Sequence, residues 1–273
     1  MREFSEMIKS IINAQDLNDE QKIESCWRCG EPIHCQVEFN NRIYRMPIVC
    51  ECQKIKLKSE EEVRQQNVFL QRMEELRKDG ISDPAYWEYT FENDDNHNKS
   101  ITDVCKKYVE NWEEMRDENI GILFYGSVGT GKTFLACAIA NALLAKCVPV
   151  SVTNFPRILN RLQSFGDERQ KIIDKLQRYD LLVVDDLGVE RDTSYSVEQI
   201  FNVIDTRDRS NKPIIITTNL SIEDLMNPTS LAHARIYDSV LEMCPMRIVM
   251  QGESRRRTGA TERRNKAKKI LGI

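Results

Sequence analysis

GSVGTGKT, residues 126–133, is the stretch of this sequence that decides the fold. It follows the apolar run IGILFY and opens the apolar stretch TFLACAIANALL, which predicts a strand, a glycine-rich turn and a helix in that order. The phosphate-loop pattern requires this context, because backbone amides at the start of a helix surround the phosphate groups. Lys132 is expected to supply charge to the terminal phosphates and Thr133 to bind Mg²⁺. The predicted nucleotide ligands in this loop are Gly126, Gly129, Thr130, Gly131, Lys132 and Thr133.

Two further apolar runs end in polar residues that fit the same site. LLVV precedes Asp185 and Asp186, and IIITT precedes Asn219. Ligands of open α/β sheets bind at the carboxyl ends of the strands, so we expect Asp185 to hold Mg²⁺ there. Asp186 is then placed to orient or deprotonate an attacking water, with Glu190 as a weaker candidate for that task. Asn219 is expected between the strand of Asp185 and the terminal phosphate.

The order of apolar runs indicates the fold class. From residue 99 onward, short apolar runs alternate with helical stretches, which predicts an α/β fold with a mostly parallel sheet and helices on both faces. Before that point, three aromatic residues and a polar run mark a linker, and the domain boundary is placed near residue 98. The predicted organisation is an amino-terminal module at 1–98, a P-loop ATPase domain at 99–258 and a basic tail at 259–273.

Five of the nine cysteines lie close together in the amino-terminal module. A CxxC pair and a CxC pair, about twenty residues apart, have the spacing of a zinc knuckle or ribbon. The predicted Zn²⁺ ligands are Cys26, Cys29, Cys50 and Cys52. Either Cys35 or His34 could replace a ligand of the second pair. Four thiolates fill the coordination sphere of the metal, so a structural and not a catalytic site is predicted. The region is too small to fold without such a stabilising metal ion. The remaining cysteines have apolar neighbours and are predicted to be buried: Cys105, Cys137, Cys147 and Cys244.

The motifs, in this order and spacing, resemble a known family. GSVGTGKT, VVDDLG and IIITTNL are similar to segments of AAA+ ATPases of the DnaC/DnaI/IstB group, nearest to bacterial and phage DnaC-like replicative helicase loaders. ARIYD at residues 234–238, GESRRR at 252–257 and TFEND at 90–94 extend the resemblance, which covers residues 80–257. It implies an AAA+ fold with a five-stranded sheet, ATP as the nucleotide, and slow hydrolysis stimulated by oligomerisation or DNA.

The resemblance also implies roles for single residues. Asp185 and Asp186 match the Walker B pair, Asn219 matches sensor 1, and Arg256 matches the sensor 2 arginine. Arg235 matches the first arginine of a box that supplies a finger to the ATP of a neighbouring subunit, which implies self-association driven by ATP. The sequence departs from the family at Ser239, where a second arginine is common. The finger candidates are therefore Arg235, Arg207 and Arg209.

Partners follow from the same resemblance. Loaders of this group grip a hexameric replicative helicase through the region before the ATPase, and a zinc-stapled module is similar to that of DnaI-type loaders. The amphipathic stretch at residues 4–12 is either core or a helicase-contacting helix. Single-stranded DNA is the expected nucleic acid, with Phe155, Arg157 and Arg161 as candidate contacts. The basic tail is expected to be disordered and to screen phosphates.

Composition excludes other classes. A hydrophobic fraction of 41% is enough for a core, and a net charge of -4 excludes a basic nucleic-acid coat, although the last 21 residues hold eight basic and two acidic side chains. No run of eighteen apolar residues exists, so no membrane span or secretory signal is predicted, and a cytoplasmic location without a membrane partner is expected.

Three alternatives to the loader hypothesis remain. An IstB-like transposition helper would assemble on duplex DNA. A metabolic P-loop kinase would need a small-molecule pocket and a lid, and the late arginine motifs argue against it. A zinc-dependent adaptor with a vestigial ATPase is disfavoured, because Lys132, Thr133, Asp185 and Asp186 are intact.

Overall fold

The computed structural model of the chain describes residues 24–39, 42–163, 167–188, 193–228, 230–252 and 254–271. The predicted amphipathic helix at residues 4–12 and the candidate Glu190 lie outside these described residues. The strands are β1 (His34–Phe39), β2 (Arg42–Pro47), β3 (Ile122–Gly126), β4 (Val150–Asn154), β5 (Leu181–Leu187), β6 (Ile214–Thr218) and β7 (Met246–Met250). The helices are α1 (Glu51–Gly80), α2 (Lys99–Glu110), α3 (Trp112–Asp117), α4 (Lys132–Leu144), α5 (Phe155–Leu162), α6 (Asp167–Arg178), α7 (Ser194–Arg209), α8 (Ile222–Met226), α9 (Leu231–Met243) and α10 (Arg255–Leu271).

Five parallel strands form the central sheet, in the order β4-β5-β6-β3-β7. Ile122 of β3 is in register with Ile215 of β6 on one side and with Met246 of β7 on the other. Because all five strands run the same way, the loops after β3, β5 and β6 leave the sheet at one edge. The mostly parallel, five-stranded sheet predicted from the sequence is confirmed.

Helices cover both faces of this sheet, which explains why its strands are continuous apolar runs. Ile122 and Phe124 of β3 belong to a core on one face, and Leu123 belongs to a second core on the other. Helices α2 and α4 contribute to the first core, whereas α5, α7 and α9 contribute to the second. The prediction for the scattered cysteines holds: Cys105, Cys137 and Cys244 are fully buried, and Cys147 packs half-buried against the first core.

The chain divides into two compact units, Met1–Leu70 and Gln71–Ile273. In the first unit, β1 and β2 form an antiparallel hairpin with Cys35 opposite Met46, as the alternation of the sequence predicts. In the second unit, the segment after α1 packs on the core of the sheet: Ile81 bridges to Val152 of β4, and Asn141 of α4 donates hydrogen bonds to backbone carbonyls of the linker. The boundary expected near residue 98 therefore falls inside the second unit.

Gly80 ends α1 at a position where the sheet leaves no room for a side chain. It has no positive φ; instead, a Cβ at this position would collide with the carbonyl oxygen of Val150 on β4. Ser151 Oγ donates to the Gly80 carbonyl at 3.4 Å across the same gap. The glycine is thus required for the close approach of the α1 end to the sheet.

The carboxyl-terminal tail also differs from expectation. Residues predicted to be disordered continue α10 to Leu271, and the described side chains from residue 260 onward are exposed. Alanine, arginine and lysine are strong helix formers, and here that preference outweighs the repulsion between like charges. Among the described residues, no helix combines the length and apolar character needed to cross a membrane.

Arg207, one of the three finger candidates, is a buried structural residue with an exposure of 0%. Its Nη1 donates to the carbonyl of Tyr179 at 2.8 Å, and its Nη2 donates to the carbonyls of Asp180 at 2.9 Å and Pro213 at 2.7 Å. Burial lowers the pKa of Arg207 to about 9, so the guanidinium stays charged at neutral pH. It fastens α7 to the turns before β5 and β6, and the expectation that it acts on a neighbouring subunit is wrong.

We expect Arg207→Ala to lower the free energy of unfolding by about 3 kcal/mol, because three buried carbonyl groups lose their donor. Denaturant unfolding of the purified protein measures this change. Arg209→Ala is the matched control: Arg209 is exposed on the same helix and pairs with Asp205 one turn earlier, so the expected change is below about 0.5 kcal/mol. Equal effects of the two substitutions would contradict this account of Arg207.

Candidate nucleotide site and zinc centre

The phosphate loop joins β3 to α4 at the carboxyl edge of the sheet. Gly126, Gly129 and Gly131 have φ values of 120°, 82° and 99°, a region that disfavours side chains. At Gly129 a Cβ would also collide with the side chain of Ser254. The loop therefore takes a shape that exposes its backbone amides only because these positions are glycine, as the motif predicts.

Lys132 begins α4 and is almost fully buried, at 5% exposure. Its Nζ donates to the carbonyl oxygens of Gly126 at 2.8 Å and Ser127 at 2.7 Å, which holds the ammonium group inside the curve of the loop. Thr130 stiffens the same curve, because its Oγ1 donates to the Ser127 carbonyl at 2.9 Å. The charge predicted for the terminal phosphates is thus positioned by the loop itself.

The structure brings Thr133 and Asp185 together, as the sequence predicts. Thr133 Oγ1 lies 2.7 Å from Asp185 Oδ1, and Thr217 Oγ1 lies 2.6 Å from the same carboxylate oxygen. A hydroxyl and a carboxylate are hard oxygen donors of the kind Mg²⁺ prefers, so the two predicted ligands fit this ion. Sequence reasoning missed Thr217. The available signal was a threonine at the end of an apolar run, and the structure shows that its side chain is buried.

The backbone of β5 is irregular at Asp186. The register between β5 and β6 shifts between Val184 and Leu187, and Asp186 has a φ of 58°, unusual for a residue with a side chain. Its backbone N–H donates to Thr217 Oγ1 at 2.9 Å. Asn219 Nδ2 lies 3.5 Å from Asp186 Oδ1, so the expected sensor 1 amide neighbours the carboxylate that is predicted to orient or deprotonate water. Strained backbone of this kind is typical of functional sites.

Other predicted residues are not brought into this cluster. Arg235 is exposed on α9 and lines a groove of about 390 Å³ together with Ser194 and Glu198 of α7. Arg256 lies in the first turn of α10, and its side chain is outside the described part of the structure.

The predicted DNA contacts on α5 need correction. Phe155 is fully buried in the second core, so its ring cannot stack on a base. Arg157 forms an ion pair with Asp83 at 3.0 Å and a hydrogen bond with Ser82, which assigns it to packing against the linker. Arg161 is the exposed candidate on this helix. The residue spacing alone could not distinguish the buried face from the exposed one.

The second candidate site lies in the first unit, where four cysteine sulphur atoms converge. The sulphurs of Cys26, Cys29, Cys50 and Cys52 all lie within 4.8 Å of one another. Cys52 is 3.3 Å from Cys50 and 3.5 Å from Cys26. A Zn–S bond of about 2.3 Å in a tetrahedron sets the sulphurs about 3.8 Å apart, so the cluster fits Zn²⁺.

Local structure explains why these thiols suit a metal. Cys50 and Cys52 lie at the start of α1. Burial raises the pKa of Cys50, and hydrogen bonds with Cys50 and the other sulphurs raise the pKa of Cys52, so a bound metal ion would displace their protons. Backbone N–H groups of Cys29 and Arg28 lower the pKa of Cys26 to about 6. Within the described residues, His34 lies beside Glu24 instead, at 3.5 Å, and neither His34 nor Cys35 belongs to the cluster. The geometry therefore favours the four converging cysteines over the alternative ligands His34 and Cys35.

Comparison with known proteins supports the first site in particular. A family model described as IstB-like ATP binding protein matches residues 53–263, more than three quarters of the chain. The Phage-like element PBSX protein XkdC of Bacillus subtilis is 31% identical over 153 residues, 54% of this chain and 56% of that protein. The Replicative helicase loader DnaC of Escherichia coli K12 is 31% identical over 139 residues, 49% of this chain and 54% of that protein. The chain thus matches about half the length of these curated relatives.

One solved structure relates the fold to this group. The crystal structure of the DnaC helicase loader aligns with a TM-score of 0.52 and 26% identity, over 62% of this chain and 100% of that one. The AAA+ fold implied by the motif order is confirmed by this likeness and by the family model.

Lys132→Ala should weaken ATP binding by about 100-fold, because a buried ammonium aimed into the loop is lost. Titration with a fluorescent ATP analogue measures the dissociation constant. Lys171→Ala, at an exposed position on α6, is the control and should leave the constant unchanged within twofold. Near-equal affinities of the two variants would show that the nucleotide does not use this loop.

Cys26→Ser should abolish zinc binding and unfold the first unit, while ATP binding stays within about twofold of the wild type. Metal analysis of the purified protein and ATP titration measure the two effects. Cys35→Ser is the matched control and should retain one zinc ion. Loss of zinc in both variants would reject the ligand set, and loss of ATP binding in Cys26→Ser would reject the independence of the two sites.

Proposed function

We propose, from the premise that this chain belongs to the family of IstB-like ATP binding proteins, that it is an ATP-dependent loader of a hexameric replicative helicase. The observation that carries the proposal is the 31% identity to the Replicative helicase loader DnaC across 139 residues. In our proposal, the chain binds the helicase and delivers it onto single-stranded DNA. The intact nucleotide site supports this, because an adaptor without ATPase chemistry would not need it.

The chain's own residues account for ATP hydrolysis as follows. The loop amides and Lys132 bind the phosphates and stabilise their negative charge. Thr133 and Asp185 would hold Mg²⁺, which neutralises charge on the phosphates when bound. Asp186 accepts the proton of the attacking water, and Asn219, 3.5 Å from its carboxylate, orients that water.

Self-association completes this mechanism in our proposal. Arg235 is exposed on α9, so its guanidinium is available to a second copy of the chain. Charge on the terminal phosphate would be stabilised when that arginine arrives from a neighbouring subunit, which makes hydrolysis slow in the isolated protein. Arg209 is also exposed but is paired with Asp205, which makes it the weaker finger candidate.

The first unit is the proposed grip on the helicase. It displays apolar side chains at its surface: Trp27 is 94% exposed between two zinc-ligand cysteines, and Ile43 on β2 is 69% exposed. Exposed aromatic side chains on a rigid support are typical anchors of protein interfaces. In our proposal, the metal fixes the turn that carries Trp27, and pairing of β1 with β2 fixes the strand that carries Ile43.

Single-stranded DNA binding is assigned to the exposed basic residues of the second unit. Helix α10 carries Arg263, Arg264, Lys266, Lys268 and Lys269 on exposed positions. Such a helix attracts phosphates without reading sequence, and its affinity should fall steeply with salt. Arg161 on α5 is the further candidate.

A second function is favoured by the name of the matching family. An IstB-like helper would use the same ATP site to assemble on duplex DNA and deliver a transposase. The two hypotheses differ in partner and in nucleic acid, so one experiment separates them.

Native mass spectrometry of the full-length chain, mixed with the replicative helicase of its host with and without ATP, tests the proposal. We expect a complex with the helicase that Trp27→Ala weakens by about tenfold or more, since anchors of this type contribute most of an interface's energy. Met226→Ala is the matched control, because Met226 is 61% exposed but lies in the second unit. Assembly on duplex DNA without any helicase complex would favour the transposition helper instead.

A further inference from the structure

Arg255 contacts the phosphate loop. Its backbone N–H donates to the carbonyl of Gly129 at 2.9 Å, and its guanidinium carbon lies 3.0 Å from the position that a Cβ on Gly131 would take. The first residue of α10 thus contacts the loop through both its backbone and its side chain. Neither contact was predicted from the sequence, in which Arg255 is one of three consecutive arginines.

The same guanidinium reaches two carboxylates of the linker. Arg255 Nη2 lies 3.2 Å from Asp95 Oδ1, and Nη1 lies 4.0 Å from Asp94 Oδ1. The side chain of Asp94 is 1% exposed, whereas that of Asp95 is 52% exposed. One arginine therefore connects the linker to the phosphate loop.

The buried negative charge of Asp94 has few partners other than this arginine. Its Oδ2 accepts a short hydrogen bond of 2.6 Å from Thr102 on α2, whereas its Oδ1 accepts no hydrogen bond from the described residues. A buried carboxylate oxygen without a protein donor is costly, and a nearby positive charge reduces that cost. This makes the position of Arg255 energetically coupled to the linker.

We propose that Arg255 is a positioning residue of the ATPase, which clamps the phosphate loop to the linker carboxylates Asp94 and Asp95 and so holds the loop in its ATP-binding shape. The inference rests on ATP binding at this loop and does not depend on helicase loading. Arg255 acts through the backbone of Gly129 and Gly131 and does not touch the water-orienting pair. Because the linker is one end of the clamp, a change in the linker alters the affinity of the loop for ATP.

The test compares Arg255→Gln, Asp95→Asn and the double variant in full-length protein, using Mg·ATP affinity from titration with a fluorescent analogue. Arg255→Gln should weaken ATP binding by about tenfold. Asp95→Asn should weaken it in the same direction, and the double variant should be no weaker than Arg255→Gln alone, because both remove one clamp. In hydrolysis assays the change should appear in KM, with kcat within about twofold of the wild type.

Asp95→Asn distinguishes positioning from a simple charge effect. Removing a negative charge near the phosphates would tighten ATP binding if the electrostatic field alone mattered, so a tighter-binding Asp95→Asn variant overturns the proposal. Additive losses in the double variant also overturn it. The side chain of Asp95 is half exposed, whereas that of Asp94 is buried, so Asp95→Asn is expected to fold normally. An unchanged melting temperature of the Asp95→Asn variant verifies this.

Two controls complete the design. Arg257→Gln removes the same charge from an exposed position on the same helix and should leave the affinity unchanged; an equal loss there overturns the proposal. Lys132→Ala reports on the site itself. If it loses ATP binding while Arg255→Gln does not, the clamp is rejected and the nucleotide site stands, whereas unchanged binding in Lys132→Ala rejects the site on which both proposals rest.

Discussion

A parallel sheet covered on both faces leaves its carboxyl edge as the place where charged groups can meet a ligand, and this constraint organises the second unit. The carboxylate of Asp185 is the centre of that edge. It accepts hydrogen bonds from Thr133 at the start of α4 and from Thr217 on β6, so one side chain joins three elements. Since Thr217 Oγ1 also accepts a hydrogen bond from the backbone N–H of Asp186, the position of Asp186 depends on the same network.

Much of this arrangement was predictable because it follows from local sequence. Apolar runs of four to six residues that end in polar groups indicate buried parallel strands, and GSVGTGKT specifies a loop shape that few other sequences adopt. The meeting of Thr133 with Asp185 then follows from topology, because β3 and β5 must end at one edge. The convergence of the four cysteines was predictable for a similar reason, since two close pairs at this spacing constrain the backbone strongly.

The remaining features depend on contacts between residues far apart in the sequence. Arg207 has the same local signature as Arg209, and only the packing of α7 shows that one is buried and the other exposed. Phe155 begins an amphipathic helix whose orientation the sequence does not give, so a core residue was mistaken for a DNA contact. Arg255 is indistinguishable from its arginine neighbours until the linker carboxylates are placed beside it. In each case a charged or aromatic residue has its role set by its partner, not by its motif.

The two units differ in what stabilises them, and this difference bears on how partners are bound. Among the described residues of the first unit, Cys50 is the one buried apolar side chain, whereas the second unit has two extended cores. Binding of Zn²⁺ to four thiolates supplies about 10–16 kcal/mol in small zinc modules, so a metal ion held by the cysteine cluster would add substantially to the stability of this unit. A fold held by metal does not need to bury its large apolar side chains. Trp27 and Ile43 are therefore available at the surface, where they can be buried against a partner at little cost to the unit itself.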